Sequence, residues 1–153
     1  MLEPKIDNQF KVVVGGIIYQ NKKILICQRK EEGDHPLKWE FPGGKVKDLE
    51  DNQEALSREL KEELNISTDL IYLDSFEYRV VLGNAAFEHE IDHVFIGFYD
   101  HPECQHNPDE IILTKWIEWS ELIDDIKSRP KQFTPWLFGV LKIVHPHLIK
   151  LIS

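Results

Sequence analysis

The chain is poor in cysteine and in positive charge, and it has no long apolar run. Its 153 residues include two cysteines, Cys27 and Cys104, in no CxxC arrangement. That excludes a disulfide framework and leaves free thiols in a reducing cytoplasm as the expectation. Lysine and arginine number 18 against 27 aspartates and glutamates, a net charge of -9. Phosphate-backbone affinity needs a basic patch, so an extended nucleic-acid surface is excluded. A small phosphorylated molecule held through a metal is not. The opening residues MLEPKIDNQF lack an apolar signal core, and no segment is long enough to span a bilayer. A soluble, cytoplasmic protein without a membrane partner is expected. No repeat, low-complexity tract or linker interrupts the chain, and its length suits one domain over residues 1–153.

Two strands open the chain. Phe10 to Gln20 is β-branched and almost wholly apolar, and Ile24 to Lys30 returns after the turn signal QNKK. A polar loop over residues 31–38 leads into a short extended piece broken at Pro42-Gly43-Gly44. A helix follows, with Asp51 as N-cap, Glu54 completing a capping box, and an apolar stripe of Ala55, Leu56, Leu60 and Leu64. Asn65 stands where a left-handed C-cap is expected. Strands are expected over Leu70 to Leu82 and Ile91 to Tyr99, joined through Gly83-Asn84, and over Glu110 to Trp119. Ser120 is expected to cap a short helix. Thr134-Pro135 reads as N-cap and first position of a last helix that Pro146 ends or kinks. This order predicts an α+β domain, with helices covering a mixed sheet.

The helix after Asp51 gathers Glu59, Glu62 and Glu63 within five residues. At about 100° per residue they share one side. Exposed Glu-rich helices are common, and Arg58 and Lys61 could serve as i,i+4 partners. Like charges at this spacing repel, however, and a hard divalent cation reverses that sign. Mg²⁺ takes oxygen ligands and keeps several waters, so two or three carboxylates suit it, with phosphate oxygens filling other positions.

From Gly44 the chain reads G-x5-E-x7-R-E-L-x-E-E-x-N-I: Gly44, Glu50, Arg58, Glu59, Leu60, Glu62, Glu63, Asn65 and Ile66. This resembles the Nudix box, G-x5-E-x7-R-E-U-x-E-E-x-G-U with U aliphatic, and departs from it only at Asn65. The resemblance implies the Nudix fold, a mixed sheet sandwiched between helices, and hydrolysis of a diphosphate linked to a further group. It implies Glu59, Glu62, Glu63 and the Gly44 carbonyl as ligands of Mg²⁺, or Mn²⁺ in its place. Arg58 is implied as the partner holding Glu50. Catalysis of anhydride cleavage is mostly charge neutralisation and alignment of water, with a carboxylate taking the proton. Glu62 or Glu110 could be that base, with Glu63 a catalytic residue through the metal it holds. Glu110 resembles in placement a base glutamate that MutT-type members carry outside the box. Arg29 and Lys45 are candidate phosphate contacts. Trp136 is a candidate substrate contact, although Trp136 and Phe133 are expected mainly in the core.

Two subfamilies are resembled. KWEFPGGKV (Lys38 to Val46) is similar to MutT-like nucleoside triphosphate pyrophosphohydrolases. FEHEIDHVF (Phe87 to Phe95), NPDEI and FTPW resemble type I isopentenyl-diphosphate isomerase, where a Glu-x-Glu pair matching Glu88 and Glu90 serves metal binding and proton transfer. That family also needs a cysteine in the segment leading into the box, and Gly43 stands there instead. On an edge strand, alternation would simply expose Glu88 and Glu90 on one face and His89 on the other. His35 is expected on the surface of its loop. The function read from the sequence is therefore a Mg²⁺-dependent pyrophosphohydrolase of a nucleoside triphosphate or other nucleoside diphosphate derivative. The alternatives are an isomerase-like protein and a Nudix domain that only binds a ligand. The partner is a small nucleotide or diphosphate, and the oligomeric state is open, a homodimer included.

Overall fold

The computed structural model describes residues 10–81, 87–101 and 103–152. The elements run β1 (Lys11–Gln20), β2 (Lys23–Arg29), β3 (Trp39–Glu40), β4 (Gly43–Lys45), α1 (Asn52–Leu64), β5 (Leu70–Val81), β6 (Phe87–Phe98), β7 (Ile111–Glu118), α2 (Trp119–Ser128), a 3-10 turn (Pro130–Gln132) and α3 (Leu137–Ile152). This is the expected α+β arrangement with a mixed sheet.

The first hairpin determines where the site lies. Asn21 and Lys22 both have positive φ, 48° and 66°, as a tight turn matched to strand twist requires. Pairing between β1 and β2 is limited to Tyr19 with Ile24 and Gln20 with Lys23. Beyond these pairs the strands part. β1 pairs β4 on the edge so released, through Val13–Lys45, Val14–Gly44 and Gly15–Gly43. Its other edge runs parallel to β6 from Lys11–Glu90 to Tyr19–Phe98. β2 instead pairs β3 and β7. β5 closes the far side against β6. A gap therefore opens inside the sheet between β1 and β2, bordered by β4.

Strand alternation distributes apolar side chains to two layers. Val14, Ile18, Leu25 and Phe95 pack under α1 with its buried stripe Ala55, Leu56, Leu60 and Leu64. Ile17, Ile24, Ile26, Val94 and Ile96 pack on the opposite face with α2 and α3. Both ends of α1 follow from its sequence. The Asp51 carboxylate accepts from the Glu54 N–H at 2.8 Å. Asn65 is left-handed at φ 54°, its N–H donates to the Lys61 carbonyl, and the Ile66 N–H donates to that of Leu60.

Four expectations change. β6 starts at Phe87, not Ile91, and lies between β1 and β5, so Glu88 and Glu90 are on an interior strand and not an edge. α2 starts at Trp119 with Glu118 as N-cap and no side-chain capping bond, because the buried Trp119 ring draws the first turn forward of Ser120. α3 starts at Leu137. Thr134 does not cap it, since its hydroxyl is buried without a partner, and Pro135 lies in the turn before it. The helix also runs through Pro146 to Ile152. Gly83-Asn84 lies outside the described residues. No described helix is long and apolar enough to cross a membrane.

Leu60 is 1% exposed beneath the box helix. Leu60→Ala is expected to lower unfolding free energy by about 2–5 kcal/mol, read as a reduced urea midpoint with unchanged slope.

Candidate active site

The loop after β4 returns to α1 through one guanidinium. Arg58 donates from Nη2 to Glu50 Oε1 at 2.7 Å and from Nε to Glu50 Oε2 at 3.0 Å, a two-pronged fork. Nη2 also donates to the Lys45 carbonyl at 3.0 Å, and Nη1 reaches Glu59 Oε1 at 2.9 Å and Glu62 Oε2 at 3.3 Å. The hydrogen bonds from Arg58 and from the Lys47 N–H hold the Glu50 carboxyl down at about 2. The guanidinium of Arg58 is stabilised in turn, chiefly by Glu50.

Glu59 and Glu63 face a cavity of about 370 Å³ that Glu110 and the Gly43–Lys45 strand also line. Gly44 lies so close that a Cβ there would sit 2.5 Å from the Glu59 carboxylate carbon. Desolvation pushes Glu63 up to about 10, with a hydrogen bond to Glu59 and the charges of Glu59, Glu40 and Glu110 adding to it. Glu110 arrives from a loop tied to the helix, where the Asn107 N–H donates to the Glu63 carbonyl at 2.7 Å. Glu62 stands apart: its side chain is 56% exposed against Arg58 and does not line the cavity. Among the described residues no three His, Cys, Asp or Glu side chains form a metal cage by themselves. Two crowded carboxylates beside an approachable backbone are a donor set that fits Mg²⁺, an ion that keeps waters and shares phosphate oxygens.

A second lobe of about 310 Å³ lies on the α3 side of the gap. Arg29, Glu40, Gly43, Gly44 and Lys45 line both lobes. Arg29 is less free than a phosphate contact would be. It binds Glu40 Oε1 at 3.0 Å, donates to the Asp34 carbonyl, and lies 5.5 Å from the Trp136 ring centre. Lys11 and Lys45 are close enough that repulsion from Lys11 lowers the Lys45 ammonium, an arrangement that an anion would relieve. Trp136 is not in the core as expected but lines this lobe, edge-on to His35 and Tyr78. Phe133 is in the core. His35 is not a surface residue either: its ring meets Glu88 at 3.0 Å.

On β6, Glu88, Glu90 and Asp92 point the same way into this lobe, and His89 lies on the opposite face against Glu77. Burial raises Asp92 to about 8, with Glu90 contributing. Burial and Glu88 raise Glu90, while burial followed by Glu88, Glu90 and Asp92 raises the Tyr78 phenol. Asp92 and Glu40 are the site residues that sequence reading missed. The E-x-E-x-D alternation on one strand was the available signal for Asp92. Glu40 had none, because its importance comes from standing between Arg29, Glu63 and Asp92.

A family model described as NUDIX domain matches residues 9–137. An isopentenyl-diphosphate Delta-isomerase 2 of Aromatoleum aromaticum is 38% identical over 92 residues, covering 60% of this chain and 48% of that protein. The chain spans about half the length of the first curated relatives it matches. The crystal structure of a MutT NUDIX hydrolase from Burkholderia pseudomallei superposes with a TM-score of 0.72 at 27% identity, covering 90% of this chain and 99% of that one. A bifunctional NMN adenylyltransferase/ADP ribose pyrophosphatase from Francisella tularensis shares the fold, with a TM-score of 0.68 at 22% identity over 92% of this chain and 42% of that one.

Between pH about 4 and 8 the folded chain keeps a proton on Asp92 that an unfolded aspartate has already lost. Stability therefore falls as pH rises through that window. Asp92→Asn removes the effect. Relative to the parent it is expected to gain more than about 1 kcal/mol of unfolding free energy at pH 8 over its value at pH 5, measured by urea denaturation at both pH values.

Proposed function

The chain belongs to the NUDIX domain family, and from that premise we propose that it is a Mg²⁺-dependent pyrophosphohydrolase of a nucleoside triphosphate or another nucleoside diphosphate derivative. The observation that carries the proposal is the first lobe. Its intact box brings Glu59, Glu63 and Gly44 together, with Arg58 and Glu50 locking the loop to the helix.

Glu59, Glu63 and the Gly44 carbonyl would hold Mg²⁺, or Mn²⁺, which would supply charge neutralisation of the phosphate oxygens and a more acidic water. Glu62 joins them only by leaving Arg58 and changing rotamer. Glu63 would hold the cation as a carboxylate, the cation's charge then offsetting its crowding with Glu59. Glu110 is exposed and faces the same cavity. From there it takes a proton from the attacking water. Lys45, on the strip between lobes, orients the phosphates, and Arg29 beside it offsets the charge of Glu40. Trp136 borders the lobe for the group the diphosphate carries. A cytoplasmic setting suits two free thiols.

The identity with isopentenyl-diphosphate Delta-isomerases favours a second reading, in which Glu88 and Glu90 serve an isomerase. Gly43 opposes it. A Cβ at this position would fall inside the Val14 carbonyl oxygen, a backbone atom of the adjoining strand. The cysteine that the isomerase resemblance requires has no room on this backbone.

Incubation with Mg²⁺ and a panel of nucleotides, sugar nucleotides and prenyl diphosphates is expected to release phosphate or pyrophosphate from nucleotide members. Glu63→Gln should lower kcat by about 10²- to 10⁴-fold while thermal unfolding stays unchanged or rises. Near-parental turnover in that variant would overturn the assignment. Conversion of isopentenyl diphosphate at enzymatic rates, followed by NMR, would decide for the second reading. Gly43→Cys is expected to lower the melting temperature and to create no isomerase activity.

A further inference from the structure

The second lobe combines features that a hydrocarbon group would leave unused. Asp92 is 3% exposed, lines the lobe, and its Oδ1 has no hydrogen-bond partner. Glu88 Oε2 and the Tyr78 hydroxyl are likewise buried and unbonded. Buried polar atoms are normally satisfied, and each one left unbonded is destabilising. Two on the lining of a single cavity, with the Tyr78 hydroxyl behind Trp136, therefore point to a missing ligand. The apolar lining comes from Trp136 and Val140, and from Val94 beyond Asp92 on the same face of β6. A flat ring placed on Trp136 would present its edge to the acids.

We infer that this lobe receives the heteroaromatic ring of the substrate, and that Asp92 and Glu88 select a ring bearing an exocyclic amino group by accepting its N–H bonds. The inference rests on the hydrolase reading above, because it takes the ring to be the group attached to the phosphates. Three observations support it. Gly43, Gly44 and Lys45 line both lobes, so a ring in one and a diphosphate in the other form one continuous ligand. The Lys11–Lys45 pair lies at this lobe and balances an anion passing across it. His35 engages only Oε1 of Glu88, leaving Oε2 for the ring. The acids do not repel a nucleotide as a block, since burial favours the protonated form of Asp92 and Glu90, and Arg29 compensates Glu40. An oxo group in place of the amino group would accept at most the single O–H of Asp92 and would leave the Glu88 oxygen facing another oxygen, unbonded.

The test uses pairs related through one exocyclic amino group: GTP against ITP, which has hydrogen in its place, and CTP against UTP, which has an oxo group in its place and an added N3–H. Turnover with Mg²⁺ is expected to favour the amino-bearing member by about tenfold or more in kcat/KM in at least one pair. Asp92→Leu keeps the branched shape, with bulkier methyl groups in place of the acceptors, and it should bring that ratio to within about twofold. Glu88→Gln provides a second variant with the same side-chain length. Binding without chemistry is read in parallel. GMP against IMP, and CMP against UMP, are titrated into metal-free protein and followed by the Trp136 indole N–H resonance, assigned with Trp136→Phe. Turnover without discrimination in either pair overturns this inference and leaves the hydrolase reading standing. Discrimination in binding without turnover of any triphosphate supports the selectivity and sinks the hydrolase reading. Equal binding within both pairs, or discrimination that survives Asp92→Leu and Glu88→Gln together, also overturns it.

Discussion

The fork between Arg58 and Glu50 is the contact on which the site's geometry depends. A single guanidinium ties the loop after β4, the backbone at Lys45, and Glu59 of α1 into one unit. Without it the loop after β4 would lose its side-chain tie to the glutamates of α1, and Gly44 would be held near them by the β1–β4 pairing alone. The bond is charge-assisted, two-pronged and half-buried, so it is stronger and more directional than an exposed ion pair. Glu50 is thereby committed to structure, and the carboxylates left for a cation are those further along the helix.

The second constraint is the early separation of β1 and β2. Had the hairpin zipped along its full length, the sheet would be continuous and no cleft would cross it. Pairing stops after two residue pairs, β4 fills part of the vacated edge, and both faces of the sheet come to share the strip from Gly43 to Lys45. One lobe then takes its acids from a helix and the other from a strand. Glu40 stands between them, raised by burial and held by Arg29 and by the Trp136 indole. The two lobes are therefore electrostatically linked, since Glu40 acts on both Glu63 and Asp92.

Much of this was legible from local pattern. Asp51 and Glu54 specify a capping box, Asn65 accepts a left-handed turn, and the stripe from Ala55 to Leu64 has helical period. Each depends on residues within a turn or two, where the backbone alone decides the geometry. The box glutamates were legible for the same reason, since a fixed helical repeat turns spacing into direction. Ser120, Thr134 and Pro146 misled because packing of Trp119, the Thr134 N–H bond to the Trp39 carbonyl, and continued burial of Val144 and Leu148 outweighed local signals.

The sequence by itself determined the family of the fold, the ends of the box helix, and which carboxylates gather on its face. Only the tertiary structure decided that Glu88, Glu90 and Asp92 lie on an interior strand, that His35 and Trp136 enclose them, and that Gly43 has no room for a side chain. Those facts depend on strand order and on contacts between residues far apart in the chain. A period of two shows that three acids share a face. It does not show whether that face meets water or a cavity, because the neighbours of β6 decide that.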